Sequence, residues 1–140
     1  MTLSISSELL TRLHAMAHAS PDEEVCGLLL GTAGVVEAII PATNVAATPA
    51  TRFEIDPAVL IAAHRAARDG GQAVIGCYHS HPGGPARPSP EDARQAAADG
   101  QYWLILGSDG ATAWQAVARG AVQDRFNPVA LASPDSVGQR

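Results

Sequence analysis

The chain has 140 residues and a mass of 14.4 kDa, with 46% apolar and 16% charged residues, which suits one domain with its own buried core and excludes a disordered chain. The formal charge is −5, and all nine cations are arginine, which gives no basic face for duplex nucleic acid and leaves no lysine for a Schiff base or a P-loop. No apolar run approaches the ~20 residues of a bilayer span, and Met1-Thr2-Leu3-Ser4 shows no basic stretch before an apolar run, so no membrane partner is expected and the expected compartment is the cytoplasm.

Leu3 to Ile5 reads as a short strand, and Ser6 or Ser7 caps a helix to about Ala19 with Leu9, Leu10, Leu13, Met16 and Ala17 on one face. Glu24 to Leu30 is an apolar run suited to a buried strand. Val35 to Ile40 pairs with it as a hairpin across Gly31-Thr32-Ala33-Gly34. Arg52 to Ile55 reads as a short strand, and Asp56-Pro57 as the start of a helix that stops at Gly70-Gly71. Ala73 to His79 is a second buried strand, followed by a Pro/Gly-rich loop from His81 to Pro88. Ser89-Pro90-Glu91-Asp92 opens a third helix that ends near Asp99-Gly100. Tyr102 to Leu106 and Ala113 to Ala118 form a hairpin about Asp109-Gly110, and Val122 to Phe126 adds a last edge strand. The domain is expected over residues 1–132, with a flexible tail over 133–140. Hairpins beside helices make the fold class α+β.

The segment richest in chemistry runs from His79 to Asp92. His79 and His81, at i and i+2 on a strand end, point to one face and can converge on one ion. Asp92 stands in the first turn of the next helix, across a seven-residue loop from Pro82 to Pro88. Two imidazoles and one carboxylate leave a fourth position for water, the arrangement of catalytic zinc sites. Such a site also needs a carboxylate beside the ion to take the proton of water. Glu23 and Glu24 both stand at the entry to the buried strand, and spacing alone does not choose between them. Each part has a plainer reading in isolation: a common His-x-His, a capping box at Ser89 and Asp92, a solvated strand end at Glu24. Their combination at this spacing is what carries the chemical reading.

His79-Ser80-His81, seven residues, then Ser89-Pro90-Glu91-Asp92 resembles the motif of the JAMM metalloproteases, the JAB1/MPN/Mov34 family. Glu24-Val25-Cys26-Gly27 is similar to the Glu-x-Cys-Gly strand of its bacterial members, as are Phe53-Glu54-Ile55-Asp56-Pro57 and Trp114 at their places. The resemblance implies an α+β fold: a mixed, curved β-sheet flanked by helices in an MPN/cytidine-deaminase-like α-β-α arrangement. It also implies one Zn²⁺ per chain on His79, His81 and Asp92, with Glu24 as general base and Ser89 as hydrogen-bond donor to the water or the oxyanion. The implied reaction is hydrolysis of a peptide or isopeptide bond at the Gly-Gly tail of a ubiquitin-like or sulfur-carrier protein. A homodimer is left open as the oligomeric state.

Two other functions compete. One is an inactive MPN scaffold that binds protein partners, against which the intact motif argues. The other is a RadC-like DNA-associated protein, against which the acidic charge, Ser80 and the Glu-x-Cys-Gly strand argue. Cys26 and Cys77, too few for a disulfide framework, each share a strand face with a site residue and read as buried free thiols. His14 and His18, four apart on the first helix, and His64 read as ordinary residues, and Arg87 is a loop residue available to a substrate.

Overall fold

Ser6 starts the first helix by accepting Leu9 N on its Oγ at 3.1 Å, as the sequence predicts, and the apolar side of that helix lies on one face of the sheet. A computed structural model describes residues 1–134; of the expected tail, residues 135–140 lie outside the described residues. The strands are β1 (Thr2–Ser4), β2 (Cys26–Thr32), β3 (Val35–Ala42), β4 (Ala73–Ser80), β5 (Tyr102–Gly107), β6 (Gly110–Ala116) and β7 (Phe126–Ala132). The helices are α1 (Ser7–His18), α2 (Pro57–Arg68) and α3 (Pro90–Gln95). No described helix is long and apolar enough to cross a membrane.

The strands close in the order β1-β3-β2-β4-β5-β6-β7. β2 is antiparallel to both β3 and β4, whereas β4 and β5 run parallel, with His79 beside Ile105. The parallel pair requires the crossover that contains the His81–Pro88 loop and α3. β5 is covered on both sides. Leu104 and Leu106 join a cluster with Leu3, Leu13, Leu29 and Tyr78. Trp103 and Ile105 join one with Cys26, Phe53, Trp114 and Phe126. Residues i and i+1 of a strand face opposite ways, so the α1 side and the site side are separate apolar layers. The sheet is mixed, as expected, and its curvature goes as far as closure.

Three expectations change. Arg52 to Ile55 is not a strand; only an isolated bridge joins Ile55 to Asn44. The third helix ends at Gln95, because Ala96 turns extended at ψ 129° and is buried. Val122 to Phe126 is a tight turn closed by a single bridge. The last strand follows it and is no edge: β7 pairs β6 on one side and β1 on the other.

Candidate metal centre

His79 is the last residue but one of β4 and His81 lies one residue past the strand's end, both rings on the face away from Tyr78. His81 N donates to Leu106 O at 2.8 Å, which carries the extended path beyond the strand end. Asp92 is brought over by α3, whose first turn is a capping box. Asp92 N donates to Ser89 Oγ at 3.0 Å and Ser89 N donates to Asp92 Oδ2 at 3.0 Å. The cap therefore fixes the carboxylate in the direction of the histidines. His79 Nε2 lies 3.1 Å from Asp92 Oδ1, His81 Nε2 lies 3.1 Å from Asp92 Oδ2, and the two Nε2 atoms are 3.1 Å apart.

This triangle fits a tetrahedral ion. Two nitrogens each bound at 2.0–2.1 Å sit about 3.3 Å apart. His81 Nδ1 is 2.9 Å from Pro85 O, so it must carry the proton and leave the Nε2 lone pair facing inward. His79 is oriented by packing: Phe53 stacks on its ring at 4.4 Å and Trp103 meets it edge-on at 5.5 Å. Two imidazole lone pairs and a carboxylate aimed at one point repel unless a cation or a proton lies between them. His79, His81 and Asp92 are the group among the described residues whose donor atoms gather closely enough to hold a metal ion.

Burial alone would raise the Asp92 carboxyl, but the hydrogen bonds with His79 and His81 outweigh it and hold it well below the usual carboxylate range. Burial lowers His79. It would also lower His81, but the bonds to Asp92 and Pro85 raise it above an ordinary histidine. Of the two imidazoles, His81 is the one whose contacts favour the protonated form.

Glu24 stands beside this group. Cys26 pairs with His79 across β2 and β4. Val25 and Ser80 continue the register, with Val25 N donating to Ser80 Oγ at 2.9 Å and Ser80 N to Val25 O at 3.1 Å. The next step sets Glu24 across from His81. Glu24 is buried, its Oε1 has no hydrogen-bond partner, and burial lifts its carboxyl to about 7 against the pull of His81. Glu23, the alternative, is exposed. Ser89 Oγ accepts from Asp92 N and keeps its own proton to donate.

Three residues to which the sequence assigns no role build the frame. Asn44 Nδ2 donates to Glu24 O at 3.0 Å and to Arg52 O at 3.1 Å, while its Oδ1 accepts from Ala46 N and Glu54 N, each at 3.1 Å. Ser80 clamps the entry of β2, and Phe53 holds the His79 ring. Of these, Phe53 and Ser80 had a signal, their places in the run Phe53 to Pro57 and in His79-Ser80-His81; Asn44 had none. Cys26 and Cys77 lie on the site side of the sheet, both free. His14 and His18 border a separate cleft that reaches His81 and Pro82; neither joins the metal-ligand group.

Residues 6–119 match the model of a family described as prokaryotic homologs of the JAB domain. A desampylase of Haloferax volcanii is 36% identical over 104 residues, covering 73% of this chain and 75% of its own. A probable TtuB-protein conjugate cleaving protease of Thermus thermophilus is 41% identical over 104 residues, covering 74% of this chain and 68% of its own. A JAB1/MPN-domain protein of Archaeoglobus fulgidus shares the fold, with a TM-score of 0.58 at 20% identity over 94% of this chain and 98% of that one.

Proposed function

The chain belongs to the family of prokaryotic JAB-domain homologs, and from that premise we propose that it is a zinc-dependent hydrolase of protein conjugates, cutting the isopeptide or peptide bond after the Gly-Gly tail of a ubiquitin-like or sulfur-carrier protein. Two relatives are named for cleaving conjugates or for desampylation. The observation that carries the reading is the 3.1 Å triangle of two imidazole nitrogens and a split carboxylate, with a buried, unpartnered carboxylate beside it.

His79, His81 and Asp92 would hold the ion. Zinc bound there would supply Lewis acidity toward water and the scissile carbonyl. Glu24 takes the proton of the attacking water on its free Oε1 and passes it to the departing amine. Its Oε1 is buried with no hydrogen-bond partner, so it is free to hold that proton. Ser89 donates its hydroxyl proton to the oxygen that gains charge as the carbonyl is attacked. Phe53 and Trp103 wall His79 off from water on the far side.

Glu24→Gln tests the assignment. Gln is nearly isosteric but accepts no proton at neutral pH. The variant is expected to keep one zinc per chain while turnover of a Gly-Gly-tailed conjugate falls by about 10²–10⁴-fold. Lost zinc would make Glu24 a ligand, and wild-type turnover would remove it from the reaction. A wild-type chain that binds zinc and cleaves nothing in a broad panel of conjugates and peptides would favour the scaffold reading.

A further inference from the structure

Glu24 is not a strand residue. β2 begins at Cys26, so the peptide of the base lies just outside the sheet. Its two backbone groups go instead to the segment between β3 and α2. Glu24 N donates to Pro49 O at 2.8 Å, and Glu24 O accepts from Asn44 Nδ2 at 3.0 Å. The carboxylate has no comparable tether at Oε1, which is buried and accepts no hydrogen bond. Where that oxygen stands therefore follows from where the peptide is held.

Asn44 is the knot of this segment. Its side chain is half-buried and uses both ends of the amide. Nδ2 also donates to Arg52 O at 3.1 Å, and Oδ1 accepts from Glu54 N at 3.1 Å. Arg52 and Glu54 flank Phe53, whose ring stacks on His79 at 4.4 Å. One amide thus ties the peptide of the base to both neighbours of the ring that orients a metal ligand. The segment also has bonds that do not pass through this side chain. Val45 N donates to Glu54 O at 2.9 Å, Asp56 N to Thr43 O at 3.2 Å, and Gln95 Nε2 to Phe53 O at 2.7 Å. These keep the segment folded and Phe53 in place without the amide, whereas Glu24 O has no second partner. A displacement of about 1 Å in a reacting group is enough to cost about 10²-fold in rate.

We propose that Asn44 is a positioning residue for the hydrolysis, its amide setting the place of the Glu24 carboxylate against the metal centre. The assignment rests on the conjugate-hydrolase reading above and deepens it by naming what aims the base.

The test is a double-mutant cycle of Asn44→Ala with Glu24→Gln. Every chain is zinc-loaded, and kcat and KM are measured on a Gly-Gly-tailed conjugate, with zinc content and melting temperature beside them. With Glu24 intact, Asn44→Ala is expected to lower kcat about 10²-fold while KM changes little and one zinc stays bound. In Glu24→Gln the same substitution is expected to cost no more than about twofold, because no base remains to misplace. A role in folding or in substrate binding alone would cost the same factor in both backgrounds. Asn44→Asp keeps an acceptor for Glu54 N and loses both donors, so it repeats the cycle should alanine unfold the chain, and the same pattern is expected. Equal factors in the two backgrounds, wild-type kcat, an effect confined to KM, lost zinc, or unfolding of both Asn44 variants overturns the positioning role and leaves the hydrolase standing. A wild-type chain that cleaves no Gly-Gly-tailed conjugate overturns the hydrolase and the part of Asn44 in it together.

Discussion

Glu24 sits where its neutral form is favoured, although the proposed reaction needs it ionised. In the metal-free chain its carboxyl is raised from 4.5 to about 7, chiefly by burial. Between those values the folded state holds a proton that the unfolded state has released, so stability falls as pH rises through the window and the loss is complete above it. A shift of that size corresponds to about 3 kcal/mol. Metal-free Glu24→Gln is therefore expected to melt above the wild type near pH 8, with the difference shrinking toward pH 4.5; a pH-independent difference would separate the effect from the charge. The thiols behave oppositely. Burial pushes Cys26 up to about 11 and Cys77 further still, and a thiol kept protonated is a poor nucleophile. Serine at both positions is expected to leave zinc content unchanged and turnover within a few-fold, so a loss of orders of magnitude in a folded, zinc-loaded variant would give a thiol a chemical role. The histidines and Asp92 were legible because one stretch of local sequence, His79 to Asp92, sets their spacing. The work of Ser80 and Asn44 was not, because it is done on partners 55 and 20 residues away.

The loop between His81 and Pro88 shows how an element without regular structure is made rigid. Gly84 O accepts from Ser108 N at 2.8 Å, Ala86 N donates to Asp109 Oδ1 at 2.8 Å, and Ala86 O accepts from Thr112 Oγ1. The β5–β6 hairpin thus holds the loop, and the loop presents Pro85 O to His81 Nδ1 at 2.9 Å. Gly107 permits this approach, since a Cβ there would lie 2.3 Å from Ala86 N. Asp109 is exposed and touches no metal ligand, yet Asp109→Ala frees the residue next to Pro85. Zinc affinity is expected to drop about tenfold, the low end for groups that orient a ligand, at nearly constant melting temperature; unchanged affinity would show that Pro85 holds its place without the hairpin. From the sequence Asp109 is only a turn residue. The same limit explains two misread elements. Ala96-Ala97-Ala98 favours helix locally, but burial of Ala96 in the site-side cluster ends α3 early. Arg52 to Ile55 has strand-like residues, but Asn44 bonds Arg52 O and Glu54 N, which satisfies the backbone without a ladder.

Across the whole molecule the pattern of strands and helices was readable from apolar periodicity, whereas closure of the sheet was not. Closure depends on β1 pairing with β7, Thr2 beside Ala130, a contact that no local pattern encodes. That closure matters for what the metal can and cannot do. Neither apolar cluster includes a metal ligand, so chelated protein is expected to keep its far- and near-ultraviolet circular dichroism, and loss of both would make the ion structural. The ion still adds stability by binding the folded state alone, and the size of that addition depends on what replaces it. In the metal-free site the replacement is a proton, which the contacts of His81 with Asp92 and Pro85 favour there. A histidine raised in the folded state contributes stability that is full below its unfolded value of 6.5 and is lost as pH rises through the folded value. Glu24 adds a loss in the same direction, and zinc itself binds more tightly once His81 is free of its proton. The tighter binding is the same His81 linkage seen from the ion's side, and it and the Glu24 loss both widen the gap between zinc-loaded and chelated protein as pH rises. The melting-temperature difference is therefore expected to be small near pH 6 and to grow by pH 8, and it should nearly vanish at both in His81→Ala. A difference that narrows with rising pH, or one that persists in His81→Ala, would mean that the stabilising ion does not sit between His79, His81 and Asp92.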